Sequence, residues 1–342
     1  MFTIQAHSVT DALCQGIVYI QEHGDVSQSR NGPVLVSPVP VTTFTRNPQW
    51  RVLSVPGRND NPFFHLIEAL WMLAGRRDLA PLTPIVSRMT QFSDDGGRTQ
   101  PGAYGYRWKC HFDHDQIEWA VKRLKADPSD RRTVIAMWDP NIDIDAANKG
   151  SRDVPCNTHI YLGIYEGRLN LTVCCRSNDL LWGAHGANAV HFSMFQEYLA
   201  AKIGVNLGSM WQVSNNYHIY QNTFTEELVR SCKQGANKLC HYLNFKVKPY
   251  QLFDESQPAE VWDEDLEMWW RDPTRVGIRH SFFRRVATPV FLSHKAFRDR
   301  SDPKRFEKAL EIIDQCAAED WKVACQTWLK RVSRAADDGV QS

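Results

Sequence analysis

No apolar run in this chain approaches the roughly 18 residues that a bilayer-spanning helix needs, so no membrane span is expected. The opening MFTIQAHSVTDALCQG lacks a basic segment followed by an apolar one, which argues against a signal peptide. Net charge is almost absent: 40 Lys and Arg stand against 39 Asp and Glu, a formal +1. Nothing global therefore argues for nucleic acid as a partner, and an anionic ligand must be met by local arginines. The nine cysteines are an odd number with no zinc-like CxxC pair, which argues against a secreted disulfide framework and points to a reducing cytoplasm. The twelve histidines are scattered without metal-ligand spacing, so no metal is expected. Internal repeats and low-complexity tracts are also missing.

What is present is an ordinary globular composition, 43% hydrophobic and 23% charged over 342 residues, ample for a large core. The twelve tryptophans read as part of that core rather than as a base-stacking platform. Residues 8–23 repeat at helical spacing and stop at Gly24. The stretch Pro33 to Thr45 reads as irregular strand. Asn61-Pro62 opens an apolar helix, FFHLIEALWMLAG, closed by Gly75. An amphipathic helix is predicted at 114–126 and a strand at 133–139. THIYLGIY and RLNLTVCCRS flank Glu166-Gly167 as a hairpin. A helix at 188–203, one strand at 208–220 and a helix at 221–234 follow. Residues 248–300 are rich in proline, acids and aromatics and read as an appended lobe or a long excursion. Residues 303–333 return to helical spacing with one apolar face. The pattern predicts an α+β fold with a mixed or antiparallel sheet, a core at 1–245, and a partly helical C-terminal extension at 246–342 packed on it.

Three residue types carry chemistry. Cys156, in Asp-Val-Pro-Cys-Asn, reads either as a buried structural cysteine or as a nucleophile; the second needs a nearby positive charge to favour thiolate. Arg176 lies 20 residues on, at the far end of the hairpin, which folds back towards Cys156. Arg30, Arg131, Arg132 and Arg176 offer guanidinium forks for phosphate, although any one of them alone reads as a solvated surface charge. Glu68 lies inside a helix apolar on almost all sides, where a carboxylate has a raised pKa unless paired.

Taken together these segments resemble the thymidylate synthase family. Glu68 in LIEALWMLAG resembles the helix bearing that family's general acid-base glutamate, and GAYGYRWK, with Tyr104, its Tyr-Gly-x-x-Trp segment. Asp130-Arg131-Arg132 resembles the arginine pair donated across a dimer to the partner's phosphate site. Pro155-Cys156 resembles the nucleophile motif, and Arg176-Ser177-Asn178-Asp179 with Gly183 the phosphate and folate segment. Asn188 falls near the base-reading asparagine. His218-Ile219-Tyr220 resembles the sugar-binding His-x-Tyr, and Arg30 in Ser-Arg-Asn-Gly the phosphate arginine of the first loop. The likeness runs from about residue 10 to 222, in one order and with near-constant spacing. It implies a thymidylate synthase-like mixed sheet flanked by helices, and a homodimer with shared active sites. It also implies 5,10-methylenetetrahydrofolate as cosubstrate and a pyrimidine nucleoside monophosphate as substrate. Cys156 would add to carbon 6 of the pyrimidine. Carbon 5 would then attack the one-carbon unit, with Glu68, Tyr104 and Asp179 in the catalytic group assisting proton transfers and folate chemistry.

The exocyclic methylene so formed has two fates, reduction to methyl or hydration to hydroxymethyl. Closure against water decides between them. Three departures from the synthase pattern favour hydration. The place of an active-site tryptophan is Thr90, with Phe92 near. The chain runs on for about 120 residues after Tyr220 and ends polar. Asn157 follows the nucleophile where synthases usually carry His, and the segment Gly183–Asn188 is one residue longer than usual. Asn188 tilts the base towards uracil, but its amide also fits cytosine when flipped. His185 is a rival base contact, and dCMP and CMP stay open beside dUMP. A methylating synthase is the alternative activity. A catalytically silent nucleotide- or RNA-binding relative is a third reading, disfavoured because Cys156 and Glu68 are both present.

Overall fold

A computed structural model describes residues 1–340 except Ser54, Phe245, Glu255 and Ser256; for Asn237 and 335–340 only the backbone is described. The strands are β1 (Phe2–Ala6), β2 (Asp25–Ser29), β3 (Gly32–Val36), β4 (Val41–Thr45), β5 (Val134–Ala136), β6 (Asn157–Tyr165), β7 (Arg168–Cys175), β8 (Asn178–Asp179), β9 (Asn206–Ser214) and β10 (Tyr217–Tyr220). The longer α-helices are α1 (Val9–His23), α2 (Pro62–Leu73), α3 (Gln116–Ala126), α4 (Pro140–Asn148), α5 (Asn188–Ile203), α6 (Glu226–Lys233), α7 (Trp262–Arg271), α8 (Thr288–Arg298), α9 (Arg305–Asp314) and α10 (Glu319–Val340). A six-stranded mixed sheet runs β1-β4-β9-β7-β6-β5, and a four-stranded sheet runs β2-β3-β10-β8. The α+β expectation holds.

Local chemistry explains the elements that position the site. Asn61 accepts a hydrogen bond from the Phe64 amide (3.2 Å), and Pro62 supplies a preset first turn for α2. Because α2 is apolar all round, every one of its residues is buried except Glu68. Helix α5 is buried along nearly its whole length and is pinned to the sheet by Gln196, whose amide donates to the carbonyls of Leu169 (2.8 Å) and Ser209 (3.0 Å). Between β6 and β7, Glu166 (φ 50°) and Gly167 (φ 69°) both take positive φ, the two-residue turn whose twist matches a hairpin.

The inner face of the six-stranded sheet, α2 and α5 share one apolar cluster with the C-terminal helices. Trp262, Trp269, Phe282, Phe283 and Trp321 join Phe63, Trp71 and Phe195 in it. Fully burying a side chain of this size contributes roughly 2–3 kcal/mol each. Polar ties accompany the packing. Asp263 meets Lys202 (2.6 Å) and Tyr198 (3.0 Å) of α5, and Asp320 accepts from Tyr242 (3.0 Å). Arg331 of α10 reaches back to Asn59 (2.5 Å) and the Asp60 carbonyl (3.4 Å), just ahead of α2.

Several expected elements differ. The stretch 208–220 is two strands, β9 and β10, in different sheets, because the chain turns at Asn215-Asn216. The stretch 303–333 is two helices, α9 and α10, broken at Gln315–Ala318. The strand at 133–139 is cut to β5, since Asp139 instead caps α4 through the Asn141 amide (3.0 Å) with Pro140 at its first turn. Strands β1 and β2 are additional. No α-helix among the described residues is long and apolar enough to cross a membrane.

Candidate active site

Cys156 sits immediately before β6, and the hairpin brings Arg176 back beside it as the spacing predicts. The Arg176 amide donates to the Cys156 carbonyl (2.8 Å). Its guanidinium donates to the carbonyls of Pro155 (2.9 Å) and Val154 (2.8 Å) and lies 3.8 Å from the Cys156 sulfur. These bonds hold one face of the fork and leave Arg176 exposed, so the buried partner that its place at the end of an apolar strand called for is a row of carbonyls. Burial pushes the Cys156 thiol up; Arg176 and Arg30 pull it down, and Asp153 pushes it up. Arg30, in the β2–β3 turn, donates to the carbonyls of Ser151 (3.3 Å) and Arg152 (3.5 Å). Two guanidiniums therefore flank the loop that carries the nucleophile, a pair suited to a phosphate.

Tyr104 faces the same loop. Its hydroxyl accepts from the Asn157 amide N–H (3.4 Å), and burial, with Cys156 and Cys175 nearby, holds the phenol well above its ordinary value. The neighbouring segment is fixed by Trp108 stacked on Phe195 (4.1 Å) and by a buried two-pronged pair from Arg107 to Asp143 (2.8 and 2.9 Å). Asn157 is fully buried, and its side-chain amide lies against the Tyr104 hydroxyl without either amide atom reaching good hydrogen-bond geometry. Asp153, which the sequence reading passed over, accepts from the Gly102 amide (2.7 Å) and is raised to about 6 by burial.

The side expected to read the base is built around Leu180–Ala187, a helical segment kinked at His185 and Gly186, which leave helical geometry (φ -116° and -127°). Gly186 is required there: a Cβ would lie 2.3 Å from the Leu181 carbonyl oxygen and 2.9 Å from Arg58. Buried Arg58 donates to that same carbonyl (2.5 Å). Asn188 donates through Nδ2 to Asn178 Oδ1 (3.2 Å), and Asn178 in turn donates to Ser214 (3.0 Å). Ser177 lends its carbonyl to the Cys175 thiol (3.0 Å). Asp179 caps the turn through the Trp182 amide and is raised by burial, with His218 and Arg58 opposing. His218 pairs in register with Asp179 across β10 and β8 and contacts Asn216 (2.8 Å); Tyr220 accepts from Asn31 (3.4 Å). His185 turns away to Tyr217 (2.8 Å), fully buried and held down at about 3 by that burial, so it is no rival base contact.

Glu68 has a partner the sequence reading missed. Its Oε2 lies 3.0 Å from Nε2 of His191, one turn along α5 from Asn188. The signal was the i, i+3 spacing of Asn188 and His191, hidden because a histidine on an apolar helix reads as core. Arg131 and Arg132 are not brought to this cluster. Both are exposed ahead of β5, and Arg132 contacts Asp130 (3.2 Å). Thr90 is exposed, Phe92 is half-buried, and Trp182 lies under the Arg88 guanidinium at 4.1 Å.

The fold and this constellation, a cysteine beside two arginines with a tyrosine facing the same loop and a glutamate on α2, are those of a candidate enzyme site. Residues 58–261 match the family described as thymidylate synthase. Among similar proteins, one of Pseudomonas phage M6 named deoxyuridylate hydroxymethyltransferase is 42% identical over 99% of each chain. One of the same name from Bacillus phage SP01 is 33% identical over 69% of this chain and 64% of that one. A putative thymidylate synthase of Methanothermobacter marburgensis is 35% identical over 40% and 58%. The chain belongs to the thymidylate synthase family, and it is a transferase that carries out folate-dependent one-carbon transfer to carbon 5 of a pyrimidine nucleotide.

Proposed function

We propose that this enzyme hydroxymethylates deoxyuridine monophosphate at carbon 5, using 5,10-methylenetetrahydrofolate and releasing tetrahydrofolate. The observation that carries the reading is the full-length likeness to the phage deoxyuridylate hydroxymethyltransferase, which extends through the C-terminal helices as well as the core. The amide chain Ser214–Asn178–Asn188 supports uracil. With Asn188 Nδ2 held towards Asn178 Oδ1, its second N–H is left for O4 and its oxygen for N3–H.

Each residue has work in this reaction. Arg30 and Arg176 take the phosphate, joined by Ser177. His218 and Tyr220 take the sugar. The Cys156 thiolate adds to carbon 6, and phosphate binding beside Arg176 keeps that guanidinium against the sulfur. Glu68 and Tyr104 move protons at carbon 5 and O4. The folate supplies a one-carbon unit at the oxidation level of formaldehyde. Asp179, one of whose oxygens caps Trp182, keeps the other for a pterin N–H, and Trp182 offers an aromatic wall.

Arg131 and Arg132 complete the partner's phosphate site in a homodimer. Two features support this. Neither arginine meets its own nucleophile loop, and the outer face of the six-stranded sheet exposes Tyr161 and Tyr165 beside half-buried Trp211. The same reading takes 1–245 as the catalytic core and 246–342 as an extension, which Arg331 ties to the start of the Glu68 helix.

Mass spectrometry of the nucleotide product tests the reading. Incubation with methylenetetrahydrofolate and, separately, dUMP, dCMP and CMP is expected to make dUMP heavier by one formaldehyde unit. A product heavier by one methylene unit, with dihydrofolate formed, makes the enzyme a methylating synthase instead.

A further inference from the structure

His191 and Glu68 approach to 3.0 Å, but they do not hydrogen-bond: neither Glu68 Oε2 nor His191 Nε2 has a partner in bonding geometry. His191 Nδ1 is unpartnered as well. Both side chains are nearly sealed from solvent, 3% exposed for His191 and 12% for Glu68. A buried imidazole with no hydrogen bond at either nitrogen is rare, because each unmade bond carries its full desolvation penalty. With both atoms unbonded and 3.0 Å apart, a single water bonded to the two would satisfy each of them. Val190, Phe192 and Ile67, their chain neighbours, are buried apolar residues, and buried His65 is near enough to His191 for the two imidazoles to disfavour each other's charge.

Water is a reactant in hydroxymethylation, and the protein must both hold it and take its proton. We propose that His191, paired with Glu68, is the base that delivers this water to the exocyclic methylene; the proposal rests on the hydroxymethylation reading above. The water oxygen bonds to the methylene carbon, and the carbon–carbon π pair moves onto C5 and O4. The water proton passes to the imidazole of His191, and Glu68 stabilises the charge that forms there. The pair on C5 then re-forms the C5–C6 double bond, the C6–sulfur bond breaks, and Cys156 leaves as thiolate. No oxidant or reductant is consumed. A methylating enzyme, which delivers hydride to the same carbon, has no need of such a base.

The test separates this step from those before it. His191→Gln and His191→Ala would be assayed in the full-length enzyme for tritium release from C5-labelled dUMP and for hydroxymethyl product. Tritium release reports a folded site that has already added Cys156 and the one-carbon unit. Hydroxymethyl product is expected to fall about 100-fold or more relative to tritium release. An added small thiol should then capture the stranded methylene as a thioether visible by mass spectrometry. If tritium release and product fall together, partly or wholly, or if their ratio stays at the wild-type value, the proposal is overturned, because a merely structural histidine supports every step alike. A wild-type enzyme that yields dTMP would instead defeat the hydroxymethylation reading, before any variant is compared.

Discussion

The strand-borne wall of the site and the helix-borne wall are held by opposite means. Beside Cys156, backbone and guanidinium bonds fix the loop: the Arg176 amide holds the Cys156 carbonyl, and one face of the Arg176 fork holds Val154 and Pro155. On the helices, Glu68 and His191 meet without bonding. A nucleophile must strike one atom from one direction, so rigidity serves it. Groups that pass protons through water need open valences. Asn157, next to the nucleophile, crosses the division, standing on the strand with neither amide atom in bonding geometry.

The largest effect should come from breaking the strand wall at its reactive atom. Cys156→Ala is expected to lower turnover by roughly four orders of magnitude or more with the fold intact. Mixing it with Arg132→Ala protomers should restore about one quarter of wild-type activity, because half the random dimers are hybrids with one intact site each. Verified hybrids without activity would mean that the arginines are not shared. Next, the thiol can be tuned from both sides. Arg176→Met should move the pH midpoint of Cys156 alkylation up, and Asp153→Asn should move it down, each read by peptide mass spectrometry. Shifts in the reverse senses would contradict the local electrostatics.

A smaller effect sharpens the contrast. Asn157→Leu removes two unpaired buried atoms and is expected to raise stability in urea by about 1 kcal/mol while lowering turnover. A stabilised variant of full activity would show that the amide serves no catalytic purpose. The smallest effect lies where the extension packs against α2. His294, against Phe63 and Trp328, is held down to about 4 by burial, from an ordinary value of 6.5. Its neutral form is favoured in the folded state, so its contribution is complete above about pH 6.5. It is lost as pH falls towards 4, by up to about 1.4 kcal/mol per unit. His294→Phe should flatten the fall in urea midpoint between pH 7 and 5.

Much of this was legible from residue order. The apolar helix around Glu68, the Glu166-Gly167 turn and the return of Arg176 to Cys156 all follow from local periodicity and turn chemistry, which need no tertiary information. Strand β2, DVSQS, was not legible, because all five of its residues are exposed and no apolar alternation marks it. Helix α4 carried its signal in Asp139-Pro140, a cap followed by a first-turn proline, but Met137 and Trp138 before it looked like more strand. His191 and Asp153 were missed for a common reason: their importance lies in what faces them from distant segments. Arg131 and Arg132 stay apart from their expected phosphate site because a single protomer does not hold both halves of it on the dimeric reading.

The kink within Leu180–Ala187 bears on how this segment tolerates change. Each residue added to a regular α-helix rotates everything after it by about 100°. An extra residue between Gly183 and Asn188 would thus aim the asparagine, and His191 beyond it, at the wrong quadrant if the helix ran on unbroken. His185 and Gly186 leave helical geometry there, so the break takes up a residue without passing that rotation on. The kink acts as a phase reset, and deletions or insertions confined to it should alter the lining of the pocket while leaving the heading of α5 unchanged.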